Sequence, residues 1–250
     1  TEGDFDKAIE FLREKTLCKY IDAFRLLIPV GIMKGAKAKK KRVIVLKNED
    51  VCYILAPVYY GRVPQVFIER LSKIKGNGAK AVVVAAYGNR EFEDALLELK
   101  NTAEQIGFKV IAGIGAIAQH SIANTIGEGR PNKNDIEQLN IFKEKINKKI
   151  ESGKTGVEIV GNYPYKEIGT MPDYPRAKEN CTKCGICVEN CPVGAIISPE
   201  ETDREKCIGC MRCVVVCPEN ARKLNSAIVN AVTEKLKMIC SEPKENTLYI

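Results

Sequence analysis

Two stretches, "CTKCGICVENCP" from Cys181 to Pro192 and "CIGCMRCVVVCP" from Cys207 to Pro218, repeat one cysteine spacing. C-x2-C-x2-C points three thiolates at three corners of an iron-sulfur cube, and a fourth Cys ahead of Pro ligates the other cluster. The spacing therefore predicts two 4Fe-4S clusters with crossed ligation. Cys181, Cys184, Cys187 and Cys217 are expected to hold the first, and Cys207, Cys210, Cys213 and Cys191 the second. Zinc knuckles pair C-x2-C motifs across a longer spacer, and disulfides need no such doubled pattern. Gly185 and Gly209 allow the backbone close to the sulfurs, while Ile186, Val188, Ile196, Ile208 and Val214 can exclude water. Pro192 and Pro218 fix φ where the chain leaves a ligand. The three remaining cysteines, Cys18, Cys52 and Cys240, lack this pattern and read as buried structural thiols.

The 250-residue chain carries a formal charge of +7, which two oxidised clusters of about -2 each would lower to about +3. Positive charge concentrates at "KGAKAKKKR", residues 34–42, which reads as a solvated loop or a patch for an acidic partner or a phosphate; it is not read as a nucleic-acid site. The most apolar stretch, residues 23–33, is short and broken by Arg25 and Pro29, so no membrane span is expected. The opening "TEGDFDKAIEF" is acidic and shows no export signal, and the expected compartment is a reducing cytoplasm.

The elements that must position these residues alternate in type. "RVIVL" (42–46), "VCYILA" (51–56), "KAVVVAAY" (80–87) and "KVIAGIG" (109–115) are short, β-branched and bounded by turn residues, which predicts strands. Helical spacing predicts helices over 63–74, 91–106 and 135–150, the last with Asn134 as N-cap. Such alternation predicts a doubly wound parallel sheet, whose ligands bind beyond the carboxyl ends of the strands. Two loops there, "PVYYGRVP" and "YGNREFED", offer rings at Tyr59, Tyr60 and Tyr87 to stack on a flat ligand, and amides at Gly61, Gly88 and Asn89 for its polar edge. The same rings could instead pack loop onto core.

The cysteine runs resemble bacterial two-cluster ferredoxins over residues 180–222. Together with "APVYYGRVP", "YGNREFEDALLELK", "AIAQHSI", "GRPNKNDIEQ" and the tail "CSEPKENTLYI", the chain resembles flavodoxin-like domains fused to a two-cluster ferredoxin in anaerobic microbes, from about residue 50 onward. That resemblance implies FMN, flanked by the loop from Pro57 to Arg62 and the loop from Tyr87 to Asp94. A flavodoxin's first strand and phosphate loop are not visible, so the fold expected is flavodoxin-like with its first strand apparently missing, followed by a small α+β ferredoxin domain. An N-terminus that continues upstream of Thr1, or replacement of the phosphate site by the run from Lys34 to Arg42, would account for this. The expected division is 1–152 for the first domain, 153–179 for an ordered linker, 180–224 for the ferredoxin domain, and 225–250 for a C-terminal helix and tail. Along that helix Ile228, Val229, Val232, Leu236 and Ile239 share a face expected to pack between the domains.

The sole histidine, His120, reads as a packing or capping residue, and no nucleophile with a partnered base is evident. The function expected is electron transfer through two 4Fe-4S clusters to or from FMN, with a redox partner protein. The alternative is a flavin-free module that docks a ferredoxin onto a larger oxidoreductase. Donor, acceptor and oligomeric state are not legible.

Overall fold

A computed structural model of the chain describes residues 19–22, 46–240 and 242–250. The run from Lys34 to Arg42, Cys18 and all of "RVIVL" except Leu46 lie outside these residues. Four parallel strands, β1 (Lys19–Asp22), β2 (Val51–Pro57), β3 (Lys80–Tyr87) and β4 (Lys109–Ile117), lie side by side in sequence order. The helices are α1 (Gln65–Leu71), α2 (Ala95–Gln105) and α3 (Lys133–Glu151). The strands read as nearly continuous apolar runs because both faces are covered. Ile54, Ala56, Val83 and Ala85 pack with Phe67 and Leu71 of α1 and Leu96 and Leu99 of α2. Their alternates Tyr53, Leu55, Val82 and Val84 pack with Leu139 and Ile146 of α3. A bulge in β4, where register shifts between Ala81 and Val82, turns Ile111 and Ala112 together toward the α3 face.

The N-cap of α3 is Asn132 rather than Asn134. Its side chain accepts from the Asp135 amide at 3.2 Å, and the Asp135 carboxylate accepts from the Asn132 amide at 2.7 Å. Two donors are satisfied reciprocally there, which Asn134, one residue before Asp135, cannot achieve.

The tail also departs from expectation. Residues Thr247–Tyr249 form β7, which returns to pair antiparallel with β4 and closes the sheet edge. Glycines in β4 make room for this traffic. A Cβ at Gly115 would stand 2.5 Å from Thr247 Oγ1, and one at Gly113 would stand 2.6 Å from Ile159, which anchors the otherwise largely exposed segment 153–175.

The cysteine-rich part has its own small ribbon, β5 (Arg176–Ala177) against β6 (Arg222–Lys223), and two one-turn helices, α4 (Ile186–Glu189) and α5 (Arg212–Val215). The ribbon begins ahead of residue 180, inside the expected linker. Helix α6 (Ser226–Cys240) follows and packs Leu236, Cys240 and Val232 on Ala123 and Ile126. Ile239, expected on that buried face, is 58 % exposed.

Candidate functional site: two thiol cavities against an aromatic cleft

The two cysteine runs fold alike. Left-handed backbone occurs at Lys183, Gly185 and Gly194 in the first, and at Gly209, Met211 and Asn220 in the second, the same three steps of the repeat. Gly185 suits its φ of +79°, and a Cβ there would meet nothing within 4 Å, which is why the second run can hold Met211 at the same step with a φ of +58°. Gly209, whose step in the first run is held by Lys183, is set apart by space, because a Cβ would lie 2.4 Å from Met171 Cγ and the Met171 side chain would have to shift. In each run the amide four residues beyond the last cysteine donates to its sulfur, Ala195 to Cys191 at 3.2 Å and Ala221 to Cys217 at 3.3 Å.

The eight thiols surround two cavities. Cys181, Cys184, Cys187 and Cys217 line one, and Cys191, Cys207, Cys210 and Cys213 line the other. Their matched volumes, about 340 and 360 Å³ including the mouths, suit one kind of occupant. No group of three His, Cys, Asp or Glu among the described residues converges as a site for a single metal ion. Four soft donors spread around an apolar hollow, with amides aimed at sulfur, fit a multi-iron cluster better than one ion. Burial pushes the Cys210 thiol up to about 12 and the Cys213 thiol to about 11, and it also raises Cys187 and Cys207. Such thiols become thiolates only when a cationic group ligates them.

The expected flavin loops converge beyond the ends of β2 and β3. Tyr59 and Arg62 exchange backbone hydrogen bonds of 2.9 and 3.1 Å around Tyr60 and Gly61, both with positive φ, which makes a tight primed turn. This turn is held from below by Glu98 of α2. Arg62 donates from Nε and Nη2 to the Glu98 carboxylate at 2.8 and 2.7 Å, the Val63 amide adds a third bond at 3.0 Å, and the guanidinium lies 4.8 Å from the Tyr165 ring centroid. The second loop docks on the first through the Asp94 amide, which donates to the Gly61 carbonyl at 3.1 Å. Asp94 in turn accepts from Asn162 and from the Lys166 amide, tying segment 153–175 to both loops.

These loops bound a cleft lined by Pro57, Tyr59, Tyr60, Gly61, Tyr87 and Gly88. It measures about 1270 Å³ including its mouth, more than three times either thiol cavity. Cys210, Met211 and Arg212 form part of its wall, so the second thiol cavity and the cleft share a partition. Burial, with the Cys210 sulfur nearby, holds the Tyr59 phenol well above its usual range, and Tyr60 is raised likewise with Cys207 as the neighbour.

Two of the expected loop residues have other duties. Tyr87 is buried in the core, packs edge-on to Phe92 at 5.3 Å, and shows only a margin to the cleft. Asn89 does not line the cleft. Its side chain is buried and clamps the tail, donating to the carbonyls of Cys240 and Glu242 and accepting from the Lys244 amide. His120 lines the cleft and caps its own turn: Nδ1 accepts from the amides of Ile122 and Ala123 at 3.2 and 3.0 Å, and burial lowers its pKa to about 4. Cys52 and Cys240 are buried, as expected of structural thiols. The ion pair of Arg62 and Glu98, thirty-six residues apart, had no sequence signal.

The 4Fe-4S binding domain family matches residues 176–197 and 200–223. Similar proteins include the thiosulfate reductase electron transfer subunit of Salmonella typhi, 29 % identical over 32 % of this chain and 45 % of its own length. A protein of Halobacterium salinarum named for the iron-sulfur subunit of a dimethyl sulfoxide reductase is 38 % identical over 26 % of this chain and 27 % of its own. The epoxyqueuosine reductase of Bacillus subtilis is 22 % identical over 58 % of this chain and 42 % of its own, a match of 175 residues that extends past the cysteine runs. The chain thus spans less than half the length of each of these relatives. No solved structure matches it significantly. Among the described residues no helix is long and apolar enough to cross a membrane. The chain carries an iron-sulfur domain of the 4Fe-4S binding type, built on a mixed α/β framework with a mainly parallel sheet.

Proposed function

We propose that this protein transfers electrons between a redox partner and an FMN, through two 4Fe-4S clusters held by crossed cysteine sets. In this reading residues 1–152 form a flavodoxin-like domain, 153–179 a linker, 180–224 the ferredoxin domain, and 225–250 a helix and a tail that returns to the first sheet. Cys181, Cys184, Cys187 and Cys217 hold one cluster, and Cys207, Cys210, Cys213 and Cys191 the other. The observation that carries the proposal is the shared partition: Cys210 lines both its thiol cavity and the aromatic cleft. A flat ligand in that cleft would lie against a cluster ligand.

Bound flavin would supply the junction between one-electron and two-electron chemistry, and the clusters one-electron steps. The chain's residues hold and shield these groups. Tyr59 and Tyr60 present ring surface to the cleft, the bond network from Glu98 and Asp94 fixes the turn that carries them, and Met211 and Val214 keep water from the partition. Cys184, the exposed member of the other set, places that cavity nearer to solvent, where a partner protein would dock. The setting that suits such clusters is a reducing cytoplasm.

The test uses full-length protein purified without oxygen, acid-precipitated and assayed for iron, sulfide and released flavin. About eight iron atoms and one flavin per chain are expected, with Tyr59→Ala lowering flavin retention at least tenfold while leaving iron intact. Iron without flavin would make the sheet domain a docking module for a larger oxidoreductase.

A further inference from the structure

Within the repeated cysteine runs one position breaks the symmetry. "CPVGAI" ends in Ile196, and its counterpart "CPENAR" ends in Arg222. Both side chains are buried, Ile196 to 5 % and Arg222 to 2 % exposure. A full positive charge therefore occupies a place that the first repeat fills with a hydrocarbon. Arg222 lines both thiol cavities, whereas Ile196 lines only the second. Its Nη1 lies 3.9 Å from Cys187 Sγ of the first set, and the side chain shares the wall of the second cavity with Cys213. Nη1 also donates to the Pro199 carbonyl at 2.8 Å and Nη2 to the Thr202 hydroxyl, which fixes the fork between the cavities. Nε is buried with no partner among the described residues. No carboxylate pairs with this guanidinium among the salt bridges of the described residues, although a buried charge without a counter-ion is costly.

We propose that Arg222 is the common counter-charge of the two clusters, stabilising their thiolates and the electrons added to either one. The proposal rests on the two-cluster reading. Arginine stays charged at any working pH, and an oxidised cluster with four thiolates carries about -2, so two clusters supply the negative charge that the protein side chains do not. Reduction adds one electron to a cluster, taken from an external reductant, with no bond made or broken. A fixed cation beside both clusters favours that step at each, so both potentials sit higher than they would beside a hydrocarbon. The shared position also softens the repulsion that an electron on one cluster exerts on the second.

The test compares wild type with Arg222→Met, which keeps length and loses charge, and Arg222→Lys, which keeps charge and loses the fork. Full chain is purified without oxygen, iron is assayed, and the clusters are titrated with mediators and followed by electron paramagnetic resonance. In loaded R222M both potentials are expected to fall, each by at least a tenfold change in the reduction equilibrium, about 59 mV for one electron. R222K is expected to stay within about threefold of wild type, or about 28 mV by the same conversion. Unmoved potentials in R222M with about eight iron atoms per chain overturn the proposal and leave the two-cluster reading standing. Should R222M fail to retain iron, loading of R222K supports the counter-charge role, and loss of iron from both overturns it in favour of anchoring Pro199 and Thr202. Wild type with well under eight iron atoms removes the two-cluster reading itself, and this proposal with it.

Discussion

Pairing cysteine substitutions within and across the two cavities tests the crossed ligation. Cys191 belongs to the first run in sequence, yet it lines the cavity of Cys207, Cys210 and Cys213. Cys217 belongs to the second run and lines the cavity of Cys181, Cys184 and Cys187. Cys191→Ala with Cys210→Ala removes two of four thiols from one cavity and none from the other. One intact four-iron cluster per chain should survive, with about four of eight iron atoms retained. Cys184→Ala with Cys191→Ala removes one thiol from each cavity, and no intact four-iron cluster should survive. Ligation within each run gives the reverse. Three remaining thiolates can retain a damaged three-iron cluster, so the decisive assay counts intact clusters by electron paramagnetic resonance of the reduced protein. Iron content is the second readout. One intact cluster in C184A/C191A together with none in C191A/C210A would refute the reasoning.

Glu98→Ala leaves Arg62, 13 % exposed, without its carboxylate and should destabilise the sheet domain by about 3–5 kcal/mol in anaerobic urea unfolding; a loss below about 1 kcal/mol would show that the pair is solvated. Gly88→Ala puts a Cβ 2.8 Å from His120 Cα, a backbone atom that cannot swing aside, and should cost about 1–3 kcal/mol while moving the wall of the cleft. His120 titrates near 4 when folded and near 6.5 when unfolded, so the unfolded chain binds the extra proton as pH falls between these values. Stability is thus full above 6.5 and should fall by about 2 kcal/mol from pH 7 to pH 5, a slope that His120→Asn should flatten.

The cysteine spacing was enough to read an iron-sulfur binding domain and to group the eight thiols as the two cavities group them, because a C-x2-C-x2-C loop is a local object whose geometry depends on few residues. The strands β2, β3 and β4 were equally legible, since burial on both faces leaves a continuous apolar run bounded by turns. Even the departure at Arg222 was written in the mismatch between "CPVGAI" and "CPENAR", although nothing in the letters gave it a meaning.

Tertiary structure decided what depends on contacts across long stretches of chain. Thr247–Tyr249 carries too few residues for a periodic signal and becomes a strand only because β4 offers an open edge. Asn89, expected to offer its backbone amide to a ligand, stands outside the cleft, its side chain held by a tail that arrives over 150 residues later. Asn134 gave way to Asn132 because the cap is chosen by reciprocity with Asp135, a carboxylate whose other oxygen contacts bind Arg130 and Asn246. The partition at Cys210, which joins a thiol cavity to an aromatic cleft, lies between segments separated by some 120 residues. Sequence sets which groups can do chemistry through short-range spacing, whereas packing alone sets which of them meet, because closing such loops is decided by the summed burial of the whole core.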